Sequence, residues 1–356
     1  MKSHCYKLRV GYSVVEDEQS VLELQRLVWG MGEPGTSPYF RWQYLGNPLG
    51  PALTASISTA SGMLAAHAAC ISVPIHVQGR WIVGGVVVNA ATHPEHRNRG
   101  LFERVGRALL SEARKIGLSL LLSVPNELSV KVFKQKLEFH DVPKHQLMVR
   151  WIDPGAFLRQ HGFKLVGAGL GAILRPFFSA QIMKPHSARS AQMQHMEDIG
   201  PVSLDRLLCL LPGDATSTYK EWFRWRYGEH PTRRYQFVIA GSMESPSALM
   251  VYHVMMPYQK AFLGDFFFTP EASTEAIRGW AGCLANFVRR QDGCAVWFIT
   301  KKRSQKELVL KRCGFMPIRL GSLSAPPILA KSLNPRFDES ALSEIELSFG
   351  SLMNCD

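Results

Sequence analysis

The chain is short of acidic residues and of usable cysteine pairs. Its 356 residues carry 41 Lys and Arg against 29 Asp and Glu, a net charge of +12. That balance disfavours a cationic partner and favours an anionic ligand or polymer, with diffuse charge on helix faces as the plain alternative. The seven cysteines, at positions 5, 70, 209, 283, 294, 313 and 355, are odd in number, and no two have metal-finger spacing. Reduced, partly buried thiols are expected rather than a disulfide framework or a zinc finger. No long apolar run is present. Leu165 to Leu174, the longest glycine- and leucine-rich stretch, is about half of a membrane span, and Met1 to Val10 lacks the apolar core of a signal peptide. The expected setting is soluble and cytoplasmic. His93 and His96 share one side of a turn, but no thiol completes a set and Glu95 is expected to point away, so no metal is expected. The hydrophobic share of 46% is that of a globular protein, and the length suffices for two domains.

What is present begins with Thr92-His93-Pro94-Glu95-His96-Arg97-Asn98-Arg99-Gly100-Leu101-Phe102. Before it, Trp81 to Ala91 reads as a buried strand. After it, Leu101, Val105, Ala108, Leu109, Ala113 and Ile116 mark one face of a helix. A basic, glycine-bearing loop that opens a helix is an anion site, because the first helical amides lack partners and the helix dipole favours negative charge there. Gly100 allows close approach of a phosphate, and Arg97 and Arg99 add charge. Leu118 to Val124 then reads as a second buried strand. Pro125-Asn126 opens a short helix that runs to about Leu137 and ends in Glu138-Phe139.

This order resembles the core of the GNAT superfamily of acyl-CoA-dependent N-acyltransferases. The loop motif falls on Arg97, Gly100 and Phe102, and the downstream pattern on Asn126, Ser129, Phe133, Glu138 and Phe139. The likeness covers roughly residues 52 to 150. It implies a CoA site at Thr92, Arg97, Asn98, Arg99, Gly100, Leu101, Phe102 and Phe133, with acetyl-CoA or another short acyl-CoA as co-substrate. Three departures stand out. Phe102 replaces a small residue, and Glu138 replaces a glycine. Phe133 sits where many members carry the tyrosine that protonates the leaving thiolate, a role phenylalanine cannot fill.

The chain also repeats itself. Phe40-Arg41-Trp42-Gln43-Tyr44 recurs as Phe223-Arg224-Trp225-Arg226-Tyr227, and Asn47-Pro48 is answered by His230-Pro231. Thr92-His93-Pro94 is answered by Phe268-Thr269-Pro270, Leu118 to Val124 by Ala295 to Thr300, and Phe139 by Gly314-Phe315. An ordered series of this kind predicts two copies of one fold. After Pro270 the loop reads Glu271-Ala272-Ser273-Thr274-Glu275, with no arginine or glycine, so one CoA is expected, in the first copy. The fold expected is α/β (α+β): two tandem GNAT-like domains, each a mixed, mainly antiparallel sheet flanked by helices. Residues 1–152 form the CoA-binding domain, 153–200 a helical linker starting at Asp153-Pro154, 201–325 the degenerate domain and 326–356 a C-terminal tail. Ser179 to Gln194 is expected to be an exposed connector, and Phe337 to Phe349 a surface helix or frayed end.

Direct attack of an amine on a thioester needs positioning more than a covalent intermediate. In the family the thioester carbonyl rests against a backbone amide of the strand before the loop, here Val88 to Thr92. Asn89 and Asn126 are catalytic candidates, each also readable as a strand-end or turn hydrogen bond. Asp265, aligned with Asn89 in the repeat and alone in an aromatic strand, is either paired or functional, and as a functional group it would face an acceptor cleft between the copies. A general base is sought among His67, Glu127, His253 and Asp265, with His67 better read as a core histidine. The repeated aromatic element is expected to pack a helix on each sheet. The resemblance implies N-acylation of a small amine, with a nucleotide-linked amino sugar for surface polysaccharide as the substrate class. A Fem-like transferase taking its acyl group from aminoacyl-tRNA and a non-catalytic CoA-responsive scaffold are the alternatives. The intact phosphate loop argues for CoA and makes nucleic acid the lesser partner.

Overall fold

The computed structural model describes residues 6–143, 145–160, 169, 191–195, 201–208, 210, 217–242, 245–255, 260–269, 272, 274–318, 326–347 and 350–352. It is built on two mixed sheets. In the first, β1 (Tyr6–Tyr12), β2 (Leu53–Thr59), β3 (Leu64–Val77) and β4 (Arg80–Thr92) pair antiparallel in that order, and β4 runs parallel to β5 (Leu120–Ser123). The β-branched run Val86-Val87-Val88 suits a strand covered on both faces.

Between β1 and β2 come α1 (Glu18–Trp29) and α2 (Ser37–Phe40), the latter continuing into a π-turn over Arg41–Leu45. α3 (Leu101–Lys115) follows β4. It buries Leu101, Val105, Leu109 and Ala113, spaced by four, against β2 and β3. The sheet meets it with small residues, Ala55, Ala66 and Ala68, which let the helix approach closely. Of the apolar face expected for this helix, Ile116 falls at its C-cap and is exposed. α4 (Val130–Gln135) and β6 (His140–Asp141) complete the first core.

The second sheet holds β7 (His145–Trp151), β8 (Ala191–His195), β9 (Gln236–Gly241), β10 (Pro246–Met255), β11 (Lys260–Phe268), β12 (Ala295–Lys301) and β13 (Met316–Ile318), ordered β13-β7-β12-β11-β10-β9-β8. As in the first sheet, one parallel pair, β11 with β12, interrupts antiparallel neighbours. Its helices are α5 (Pro154–Gln160), α6 (Pro201–Leu208), α7 (Ser217–Gly228), α8 (Thr274–Arg290) and α9 (Gln305–Arg312). Asp153 caps α5, as its sequence suggests, by accepting the Ala156 amide at 2.8 Å.

The sheets do not follow the expected boundaries at 152 and 325. β7 leaves the first half to lie between β13 and β12, while β14 (Leu329–Ser332), from the expected tail, enters the first sheet between β5 and β6. Each sheet therefore contains a strand from the other half. The rest of that tail is structural as well. α10 (Glu339–Leu342) precedes β15 (Ile345–Glu346), which pairs with β3, and Ile345 and Leu352 are fully buried. Part of the expected connector is also a strand: β8 pairs with β9 at the sheet edge. Most of the expected linker, 161–168 and 170–190, lies outside the described residues.

One apolar core runs through both halves and joins Ile71, Val73 and Trp42 to Trp222, Trp225 and Phe237. At its centre the two copies of the aromatic element touch. Trp42 and Trp225 stack at 4.6 Å between ring centroids and 17° between planes. A bidentate ion pair between Arg233 and Glu33, at 2.7 and 3.3 Å, also joins the halves.

Candidate cofactor cleft

β4 and β5 pair over only three positions, from Gly85 with Leu121 to Val87 with Ser123. β5 then ends, whereas β4 continues to Thr92. The edge of β4 over Val88 to Thr92 thus extends beyond its pairing with β5 among the described residues, and a wedge opens between the strands. On the β3 side the ladder slips at the same level. Ala69 faces Val88 and His67 faces Ala91, so Asn89 and Ala90 together oppose Ala68. This is a β-bulge, and Asn89 sits in it at φ 52°, a left-handed conformation that asparagine tolerates better than most residues.

The Asn89 side chain is buried and donates through Nδ2 to Gln43 Oε1 at 2.7 Å and to the Tyr44 hydroxyl at 3.1 Å. Gln25 Nε2 also donates to that hydroxyl, at 3.2 Å. With two donors on its oxygen, the Tyr44 hydroxyl gives its own proton to His67 Nε2, 3.2 Å away, and His67 Nδ1–H then donates to Ser56 Oγ at 2.9 Å. Burial, helped by the charge of Arg9, pushes the His67 imidazole down to about 3, so it stays neutral in its tautomer. Burial likewise raises the Tyr44 phenol above its ordinary value. This network orients groups and does not carry protons near neutrality. His67 is the hydrogen-bonded core histidine that its alanine-rich strand suggests.

Beyond the wedge, Pro94–His96 forms a single tight turn. The Arg99 guanidinium is spent on the loop itself, donating to the Tyr6 hydroxyl at 3.1 Å and the Glu95 carbonyl at 3.2 Å. Arg97 is exposed. Asn98 and Gly100 are both left-handed, at φ 59° and 71°, and Gly100 is the residue from which α3 starts. A Cβ on Gly100 would meet nothing within 4 Å. The glycine is thus there for its backbone conformation and for the open space beside it, not for close packing within the chain. Leu101 is buried under the helix and Thr92 is half-buried at the strand end. These residues place the unpartnered first amides of α3 at the mouth of the wedge.

The floor of the wedge is apolar. Phe102 meets Phe133 edge-on at 5.7 Å, and Phe133 meets Phe139 edge-on at 5.0 Å. With Ala68, Ala90 and Val105 they line a hollow of about 10 Å³, room for one atom the size of a water. Asn126 is exposed. Its Oδ1 accepts from the Ser129 amide and hydroxyl at 3.0 and 2.9 Å, which caps the entry to α4, while its Nδ2 has no partner among the described residues.

Glu95 does not point away from its neighbours as expected: ligand atoms of His93, Glu95 and His96 lie within 4.8 Å of one another. One ring nitrogen of each histidine is already engaged. His93 Nδ1 accepts the Glu95 amide at 3.3 Å, and His96 Nδ1 is 2.8 Å from the Tyr6 hydroxyl. The contacts serve the turn.

The second copy shares the parting of the strands but differs beside it. β11 and β12 also part after three pairs, but Asp265 is 5% exposed and its carboxylate accepts the Tyr227 hydroxyl. Gly350 packs on that pair so closely that a Cβ would lie 2.7 Å from Asp265 Oδ2, and its carbonyl accepts from Arg226 Nε at 3.3 Å. Asp265 is thus buried and paired, one of the two readings the sequence left open, with Tyr227 among its partners. Pro270, Glu271 and Ser273 of the degenerate loop lie outside the described residues. Sequence reasoning passed over Gln25 and read Gln43 only as part of the helix-packing aromatic element. The available signal was Tyr44, which stands in the repeat to Asn89 as Tyr227 stands to Asp265.

Residues 13–135 match the acetyltransferase (GNAT) domain family. No curated protein matches the sequence. Among solved structures, a GCN5-related N-acetyltransferase from Anabaena variabilis is 11% identical over 92% of this chain and 73% of its own, with a TM-score of 0.60. A tandem GNAT protein from the clavulanic acid biosynthesis pathway is 13% identical over 92% of this chain and 99% of its own, at 0.59. N-myristoyltransferase of Saccharomyces cerevisiae, with myristoyl-CoA bound, is 10% identical over 91% and 82%, at 0.56. Residues 13–135 thus match a GNAT acetyltransferase domain, and the fold as a whole is similar to that of a tandem GNAT protein.

Proposed function

We propose that the first copy binds one acyl-CoA in the wedge between β4 and β5 and passes its acetyl or short acyl group to a small-molecule amine. One observation carries this reading: the strand wedge opens directly onto a left-handed Gly100 at a helix start, so an extended arm and its phosphates have adjoining places. The amides of Leu101 and Phe102, with Arg97, would hold the pyrophosphate. Asn126 Nδ2 would bond the pantetheine arm. An amide of the bulged stretch Asn89-Ala90 would polarise the thioester carbonyl where charge develops.

Attack is direct. The amine nitrogen forms its bond to the carbonyl carbon as the carbon–sulfur bond breaks. The amine loses a proton to water, and the thiolate leaves as such or takes a proton from water, since Phe133 has none to give. Effective molarities on the order of 10⁵ M make positioning sufficient for a large share of the rate.

The acceptor we infer is a nucleotide-linked amino sugar. The net charge of +12 exceeds what the phosphates of CoA call for and suits a second anionic substrate. The test is release of free thiol from acetyl-CoA in the presence of free amines, nucleotide-linked amino sugars and aminoacyl-tRNA in turn. Turnover with the nucleotide sugars supports the full reading. No thiol release under any condition, with aminoacyl-tRNA deacylated when an amine is supplied without acetyl-CoA, would replace it by the Fem-like one, and CoA binding without any turnover by the scaffold.

A further inference from the structure

The bulge is the only place in β4 where the backbone is left-handed, and its counterpart differs. Among the described residues of β11, none has a positive φ. There the extra residue opposite the Val251/Tyr252 step is Gly264, in ordinary backbone conformation. The copy with the intact phosphate loop is therefore also the copy with a left-handed bulge, and that bulge is held by side chains from outside the strand. Gln43 Oε1 and the Tyr44 hydroxyl receive the Asn89 amide at 2.7 and 3.1 Å. Both receivers are themselves fixed. Gln43 donates to the Tyr39 hydroxyl at 3.3 Å, and Tyr44 is tied to Gln25 and His67, all of them buried.

Two adjacent residues of the repeated aromatic element thus have a task that its tryptophan does not share. Trp42 joins the two halves, whereas Gln43 and Tyr44 reach into the cleft side of the first sheet. In the second copy Arg226 stands for Gln43, and its donations include Tyr235 and Gly350.

We propose that Gln43 and Tyr44 are positioning residues for acyl transfer: they hold Asn89 left-handed and thereby aim the amide that follows it in the bulge, that of Ala90, at the thioester carbonyl. An extra residue in a bulge leaves one strand amide outside the ladder, and a left-handed residue decides which way it points. Asparagine can hold that conformation when its side chain is fixed. Alanine cannot do so without strain, and glycine needs no fixing.

This inference rests on the acyl-CoA reading, and its test separates the two. The full chain is loaded with acetyl-CoA isotopically labelled at the thioester carbonyl, and the carbonyl stretch is read by difference infrared spectroscopy. On binding, the stretch moves to lower wavenumber in the unaltered protein. Asn89→Gly keeps the shift, whereas Asn89→Ala and Gln43→Leu lose more than half of it. Gln43→Leu placed on the Asn89→Gly background causes no further loss, because glycine has no side chain to hold. A general packing role for Gln43 would give the same loss in both backgrounds and overturns the inference. So does a carbonyl unshifted on binding to the unaltered protein, with the acyl-CoA reading left standing. Failure of acetyl-CoA to bind at all overturns both.

Discussion

Trp42 and Trp225 exchange identical bonds across the junction of the two halves. Each indole N–H donates to the backbone carbonyl of the other, Trp42 Nε1 to Trp225 O at 3.2 Å and Trp225 Nε1 to Trp42 O at 3.3 Å. The arrangement is that of an isologous interface within one chain, where the same residue serves both sides. Replacing either tryptophan by alanine should cost about 3–5 kcal/mol of stability. Because each change removes the same stack and leaves one backbone carbonyl without its indole donor, the double variant should fall short of the sum by about 0.5–3 kcal/mol. Denaturant unfolding of the four proteins decides, and strict additivity would show the two rings to be independent.

CoA should bind with a stoichiometry of one, and Gly100→Glu should abolish it. A side chain at this position enters open space at the helix start, so the carboxylate would stand where a pyrophosphate is wanted. The left-handed conformation adds roughly 1–2 kcal/mol of local strain, too little to unfold a chain of this size. Calorimetry showing two equivalent sites would contradict the asymmetry between the copies.

Asp265→Ala should lower stability by about 1–3 kcal/mol, the cost of leaving the buried Tyr227 hydroxyl without its acceptor. Turnover per folded molecule should stay within threefold. A tenfold loss of turnover at an unchanged melting temperature would return Asp265 to the substrate side.

Acid should weaken the fold through His67. Its folded value lies near 3, below the unfolded value near 6.5, so the unfolded chain binds the extra proton between those limits. The contribution is complete above about pH 6.5 and declines as pH falls toward 3, by at most ~1.4 kcal/mol per pH unit. Burial holds His145 near 4, which acts in the same direction. Stability measured against pH should show a shallower acid limb for His67→Gln than for the unaltered chain.

No cysteine should carry the acyl group. Burial pushes the Cys70 thiol up to about 12 and the Cys294 and Cys313 thiols to about 11, leaving almost no thiolate at neutral pH. Kinetics should be sequential. A ping-pong pattern with a trapped thioester would overturn direct attack.

The phosphate loop, the helix behind it and the two flanking strands were legible because each has a local cause. Apolar periodicity marks α3, a valine run marks β4, and a glycine marks the left-handed entry to the helix. The repeat made the second sheet legible as well. Strand membership was not, because β7 and β14 look alike in sequence whichever sheet receives them. Their partners are set by long-range pairing that no local pattern records. Asp265 was ambiguous for a related reason. An isolated carboxylate in an aromatic strand signals only that it needs a partner, and Tyr227, which donates to it, lies 38 residues away in sequence. The separate role of Gln43 went unnoticed because it depends on the left-handed turn at Asn89, which one sequence does not announce.

The crossing of β7 and β14 has a consequence for biosynthesis. β5, which borders the wedge, gains its second neighbour only when Leu329–Ser332 arrives. Those residues are made well after the cleft itself. A nascent chain that already holds every residue proposed to contact CoA still has an incomplete first sheet, with β5 exposed along one edge. Cofactor capture should therefore wait until that later strand has emerged. A stop codon after residue 325, though far from the cleft in sequence, should silence the first half as surely as a lesion at Gly100.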